Sequence, residues 1–175
     1  ERDYKWESHL RWRESLGAEE FAAMLAAGRH EEIAARAVRV EQRSRYSMIF
    51  SFEKMARRDA LKSERGPRTF AEGLFDYVHG KGDLKSRFER FTEAIAGLPR
   101  KQTRVLTWPL HTVFGMIARP DEHIFLKPRV TQIAAREYAW DFEYTSRPSW
   151  HTYENLLGFA EQVRKDTRDL KPKDY

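Results

Sequence analysis

The sequence predicts a mainly α fold, a single-domain helical bundle spanning residues 1–175 with a minor short β element, and three observations carry that prediction. Apolar residues recur at helical spacing along most of the chain, and these stretches are bounded by residues that start or stop helices. The segment Thr107 to Lys127, TWPLHTVFGMIARPDEHIFLK, is the longest weakly charged apolar run in a chain of which 34% is charged, so the core should form around it. Period-two alternation is clearest at Phe142 and Tyr144, between Asp141, Glu143 and Thr145, and that stretch is long enough only for a small two-stranded element.

The elements follow in order. Tyr4, Trp6, Leu10, Trp12 and Leu16 stand near helical spacing, with Gly17 placed to close the helix. Glu19 to Ala27 carries Phe21, Met24 and Leu25, and Gly28 stops it. From Glu31, the residues Ile33, Ala34, Ala37 and Val38 make an apolar face while Arg36, Arg39 and Arg43 gather on another. Tyr46 to Lys62 contains Ile49, Phe50, Phe52, Met55, Ala56, Ala60 and Leu61, which suits a helix buried on more than one side and ended by Gly66-Pro67. Thr69 and Glu72 make the S/T-x-x-E pattern of a capping box, predicting a helix from Phe70 to about His79. Asp83 is a good N-cap for Leu84, Phe88, Phe91 and Ile95, closed by Gly97 and Pro99.

In the apolar block, Thr107 caps a helix whose Pro109 lies in the first turn, where no backbone donor is lost. Leu110, Val113, Phe114 and Ile117 share its face. Pro120-Asp121 breaks the pattern, His123 to Leu126 reads as a brief strand or extended connector, and Pro128 opens a helix through Ala135. Ser149 precedes a long amphipathic helix from Trp150 to about Asp169, with Tyr153, Leu156, Leu157, Ala160 and Val163 on its apolar side.

Composition excludes several classes. The chain has no cysteine, so disulfides, thiol nucleophiles and Cys-based zinc sites are out, which fits a cytoplasmic protein. Apolar residues make up 41%, too many for a disordered chain, and no run approaches the roughly 18 needed to cross a bilayer. The segment ERDYKWESHLRW shows no cationic region leading into an apolar one, so no secretory signal is expected. The net charge of +5 biases the surface toward polyanions through counterion release from phosphates. No cofactor motif is visible, and none of the six histidines falls at a metal-ligand spacing.

Three sets of residues remain as candidates. Arg36, Arg39, Arg43 and Arg45, with Arg57, Arg58, Arg65 and Arg68 further on, offer a phosphate-contacting face, the other reading being a salt-bridged surface shared with Glu32, Glu41 and Glu53. Lys127 and Arg129 flank Pro128 at a predicted helix start, where free N–H groups and the helix dipole favour an anion. Arg147, Trp150 and Tyr153 accompany the next helix start and could hold a phosphate beside a stacked base, unless the two aromatics are core anchors. His111 and His123 could serve as general bases if Asp121 or Glu122 oriented them, against the commoner role of structural histidines.

The residues TWPLHTVFGMIARPDEHIFLKP followed by SRPSWHTYENLLGFA resemble a conserved family of uncharacterised bacterial proteins over most of the chain. The order of apolar helix, proline-acid turn, short extended piece and tyrosine-containing long helix also resembles helical domains beside the ATPase of modification-dependent restriction systems. That resemblance implies a DNA-linked or defence-linked role and supplies no catalytic residue, since the chain lacks a GxxxxGK[ST] loop. The expectation is therefore a non-enzymatic, cytoplasmic nucleic-acid-associated or regulatory module with DNA or RNA as partner. The alternatives are a scaffold or homodimer that uses Trp6 and Trp12 on a protein partner, and a hydrolase built on His111, His123 and Asp121.

Overall fold

The computed structural model describes residues 4–42, 48–99 and 104–171. In chain order these form α1 (Tyr4–Leu16), α2 (Ala18–Ala26), α3 (His30–Gln42), α4 (Ser51–Leu61), α5 (Gly66–His79), α6 (Leu84–Ala96), α7 (Trp108–Ala118), α8 (Pro128–Glu137) and α9 (Trp150–Asp166), followed by a 3-10 turn at Arg168–Leu170. Helix α5 is central, packing on α2, α3, α4, α6 and α7, while α1 lies against α2, α3 and α7, and α9 reaches α6. One hydrophobic cluster runs from Trp12 to Phe159 and takes side chains from α1 through α9.

Helix α7 is the predicted core element, and every residue from Trp108 to Ala118 is buried. Its sequence, WPLHTVFGMIA, has no charged residue on any face, and a helix apolar all round must be enclosed on all sides. Gly115 lets α7 approach its neighbours: a Cβ there would stand 2.8 Å from a Tyr77 ring carbon and 3.0 Å from His123 Cγ. Gly115→Ala should therefore destabilise the fold by about 1–3 kcal/mol through overpacking. A urea midpoint unchanged from wild type would show that the Tyr77 ring can yield.

The capping signals are realised at three helices. Asp83 accepts from the Ser86 N–H at 2.7 Å, Thr107 from Leu110 at 3.5 Å and Ser149 from Thr152 at 3.4 Å. Gly28 adopts φ +69°, the left-handed turn between α2 and α3. Gly17 instead has φ −57° and serves as the N-cap of α2. The predicted capping box at Thr69 does not form: α5 starts earlier, at Gly66, with Pro67 in its first turn and the Ser63 hydroxyl accepting the Gly66 N–H. Glu72 pairs with Arg68 one turn back.

Two further expectations are corrected. Among the described residues there is no β-strand, so the minor β element at Phe142 and Tyr144 is absent. The segment is extended but its backbone is satisfied by side chains: Thr152 Oγ1 donates to Glu143 O, Asn155 Nδ2 to Asp141 O, and Trp108 Nε1 to Thr145 O. With α9 and α7 supplying these partners, a second strand is not needed. The helix expected to be buried on several sides, α4, is buried on one, and Phe50, Phe52 and Met55 face solvent.

Candidate nucleic-acid interface

The pattern of α4 decides which side faces inward. Glu53, Ala56, Arg57 and Ala60 recur at helical spacing and are buried. Arg57 donates to Glu41 of α3 at 3.0 Å, and both side chains are almost fully enclosed, at 4% and 0% exposure. Burial pulls the Arg57 pKa down while Glu41 opposes it. Glu41 also accepts the Met48 N–H, so this pair ties the start of the α4 segment to α3.

Glu53 anchors the same end of α4 to a different neighbour. Its carboxylate accepts the Phe50 N–H at 2.9 Å and the Thr107 hydroxyl at 2.9 Å, joining α4 to the cap of α7. Burial raises its pKa, against the two hydrogen bonds and the positive charge of Lys127. Lys127, distant in sequence, is thereby placed near the Phe50 end of α4, with its ammonium 5.3 Å from the Phe125 ring.

With its inner face so fixed, α4 presents Lys54, Arg58 and Lys62 outward at four-residue intervals, one ridge along the helix. They line a groove of about 620 Å³ between α3 and α4, whose floor is supplied by Ala34, Val38, Met55 and Leu61. Among the described residues Glu31 is the one carboxylate in its lining, and Arg58 pairs with Asp59 beside it at 3.5 Å. At the N-terminal end of the ridge, the rings of Phe50 and Phe52 stack on each other with centroids 5.9 Å apart and planes 8° apart, yet they are 59% and 48% exposed. Two parallel aromatic rings in water beside a cationic ridge are an arrangement that folding alone does not require.

The residues singled out from the sequence are scattered. Arg36 is held by Glu32 at 2.7 Å, by Glu20 at 3.1 Å and by the Ser15 carbonyl at 2.8 Å, and the Glu32 carboxylate raises its pKa. A phosphate there would compete with two carboxylates. Arg39 is exposed on α3, and Arg43 lies outside the described residues, as does Arg45. Lys127 and Arg129 do stand at the start of α8, with Arg129 exposed. Arg147 is exposed on the loop before α9. Trp150 packs on Phe88 at 5.7 Å, and Tyr153 is fully buried, stacked on Phe88 at 4.8 Å with its hydroxyl accepting the Ile124 N–H at 3.1 Å. The Tyr153 ring therefore has no face open to a base.

The histidines form a closed cluster. His111 and His123 both face the Tyr77 ring, at 5.5 and 4.4 Å, and both are fully buried. His111 Nε2 meets Thr92 Oγ1 at 2.8 Å, and the Thr92 hydroxyl spends its proton on the Phe88 carbonyl, so Nε2 must be the donor. Asp121 pairs with Arg119 at 3.2 Å, and Glu122 pairs with Arg87 while its Oε2 stands 3.8 Å from His123 Nε2, beyond hydrogen-bond distance and sealed in the interior. Trp12, offered as a docking aromatic, is 1% exposed and belongs to the core.

The sequence signal for the ridge was present as Lys54-x-x-x-Arg58-x-x-x-Lys62, but Phe50, Phe52 and Met55 in the same stretch read as core. Among the described residues no cluster of three metal-ligating side chains occurs, and no helix is long and apolar enough to cross a membrane. No family model, curated protein or solved structure matches the chain.

Proposed function

We propose that this domain binds single-stranded nucleic acid along the α3–α4 groove and catalyses no reaction on it. The observation that carries this reading is the Lys54, Arg58 and Lys62 ridge set beside the exposed stacked pair Phe50 and Phe52. Phosphates would lie along the cations and bases would stack on the phenylalanines, a combination that tolerates any sequence because every base has a π face. A duplex keeps its bases stacked internally and cannot use the rings, so single strands are favoured.

The test is anisotropy of a labelled single-stranded oligonucleotide and of its duplex across a salt series. Wild type should prefer the single strand and weaken steeply with salt. Charge reversal at Lys54, Arg58 and Lys62 should cost at least about tenfold and reduce the slope of log K against log salt by about 2, since each phosphate contact on a single strand contributes about 0.7. Phe50→Ala with Phe52→Ala should weaken binding by a similar factor and leave the slope unchanged. Absence of binding at low salt, or indifference to the charge reversals, would end this reading.

A protein-interaction role is the second reading, and its support is the apolar groove of about 440 Å³ between α8 and α9, where Val130, Ala134, Tyr138 and Phe159 line the walls. A protein partner held there would be insensitive to the α4 charge reversals and to moderate salt.

A further inference from the structure

A second cavity, of about 310 Å³, opens between the C-terminal end of α6, the segment leading into α7 and the loop before α9. Arg104, Arg147 and Ser146 supply its polar side and Ile95, Leu98 and Val105 its apolar side, with no carboxylate in the lining among the described residues. Among the described residues neither guanidinium makes an ion pair or a side-chain hydrogen bond. Arg11, Arg29, Arg36, Arg57, Arg68, Arg87, Arg90 and Arg119 are paired with acids, whereas these two arginines share one cavity without an acid partner among the described residues.

Both arginines stand on fixed backbone. The Thr145 carbonyl accepts from Nε1 of buried Trp108 at 2.7 Å, and the Thr145 N–H donates to Thr152 Oγ1 at 3.2 Å. The Thr145 hydroxyl in turn donates to the Arg147 carbonyl at 2.9 Å, and Pro148 is buried. On the other wall, Arg104 precedes buried Val105, whose carbonyl accepts the Thr107 N–H at 2.9 Å. Two arginines on held backbone around one cavity match a phosphate group, because each guanidinium offers planar, charge-assisted donors. The apolar wall suits the carbon skeleton attached to it, and the volume is at the lower end of small-ligand sites.

We infer that this cavity is a phosphomonoester site, with Arg104 and Arg147 on the phosphate and Ile95, Leu98 and Val105 against the sugar that carries it. The ligand is either the terminal phosphate of a nucleic-acid strand or a free mononucleotide. The first source rests on the proposed function and extends it: Arg57 and Leu61 of the α3–α4 groove line a small void together with Ile95, Leu98 and Val105 of this cavity, so one layer of side chains separates the two. A strand lying in the groove would then have its end read here.

The experiment compares a 5′-phosphorylated and a 5′-hydroxyl oligonucleotide of one sequence by anisotropy, with a 3′-phosphorylated one beside them, and titrates AMP separately by calorimetry. Each is measured on wild type, Arg147→Ala and Arg104→Ala; both side chains are exposed, so the variants should fold, which circular dichroism checks. If the strand end is the ligand, one phosphorylated oligonucleotide binds about tenfold tighter than its hydroxyl form, and either variant abolishes the difference. If AMP alone binds, and loses affinity in both variants, the site is a mononucleotide site and stands even where the groove binds no strand. Equal binding of phosphorylated and hydroxyl strands together with no AMP binding at millimolar concentration overturns the inference. So does phosphate-dependent binding that both variants retain.

Discussion

Acidification from pH 7 to 5 should remove about 4 kcal/mol of folding stability, because His111 and His123 are buried as neutral imidazoles. Burial, the largest cause in both cases, lowers the pKa of each from 6.5 to about 3, and Arg87 and Arg119 add to the effect at His123. For His111, protonation would place a proton on Nδ1, a buried atom with no hydrogen-bond partner. For His123, Asp121 favours the charged form, but less than the two arginines disfavour it.

Between pH 6.5 and 3 the unfolded chain therefore binds two protons that the folded chain refuses. Stability is full above the unfolded value and falls as pH drops through that window. Each histidine contributes about 1.36 kcal/mol per pH unit, so the pair gives about 2.7 kcal/mol per unit and about 4 kcal/mol between pH 6.5 and 5. Against a total of about 5–15 kcal/mol for a domain, that brings acid unfolding near pH 4 to 5. Glu53, whose carboxyl is raised by burial, works in the opposite direction but is a single group acting at the acid end of the window. Urea midpoints at pH 7, 6 and 5, with NMR titration of the imidazole protons, check this. Two histidines titrating near pH 6.5 in the folded protein, or equal midpoints at pH 7 and 5, would refute it.

Arg57→Met should destabilise the protein by about 3–5 kcal/mol, the cost of removing one partner of a buried ion pair. Glu41 is fully buried and its carboxylate faces Arg57 at 3.0 Å, so loss of the guanidinium takes the arginine's positive charge away from a carboxylate in the interior. Methionine roughly preserves the aliphatic volume, and only the charge and its hydrogen bonds are lost. Adding Glu41→Gln to Arg57→Met should recover a large part of the loss, because a neutral amide costs less to bury and can still accept the Met48 N–H. The coupling in this double-mutant cycle should exceed about 1 kcal/mol. A cost below about 1 kcal/mol for Arg57→Met alone would refute this. The same variant should loosen the α4 ridge on α3 and so weaken any ligand held in that groove.

Local chemistry in the sequence determined most of the helices. Asp83, Thr107 and Ser149 act through their immediate neighbours, and Gly28 through its own φ, so their effects are legible without knowledge of the fold. The all-apolar character of Trp108 to Ala118 likewise announces burial, because such a helix has no side to show to water. His111 and His123, read from the sequence as possible general bases, are sealed in the core, which their sequence positions alone did not reveal.

The tertiary structure alone decided which side of α4 faces outward. Phe50, Phe52 and Met55 outrank Glu53 and Arg57 in hydrophobicity, yet the charged pair is inside. Glu41 and Thr107, separated from Glu53 and Arg57 by long stretches of chain, supply the partners that make their burial tolerable, and no periodicity rule contains those partners. The same holds for the extended segment at Phe142 and Tyr144. Its alternation is genuine, but Thr152 and Asn155 of α9 take the backbone groups that a second strand would have used. Arg104 and Arg147 stand in one cavity for a similar reason, since Trp108 fixes the loop of one and Val105 the approach of the other.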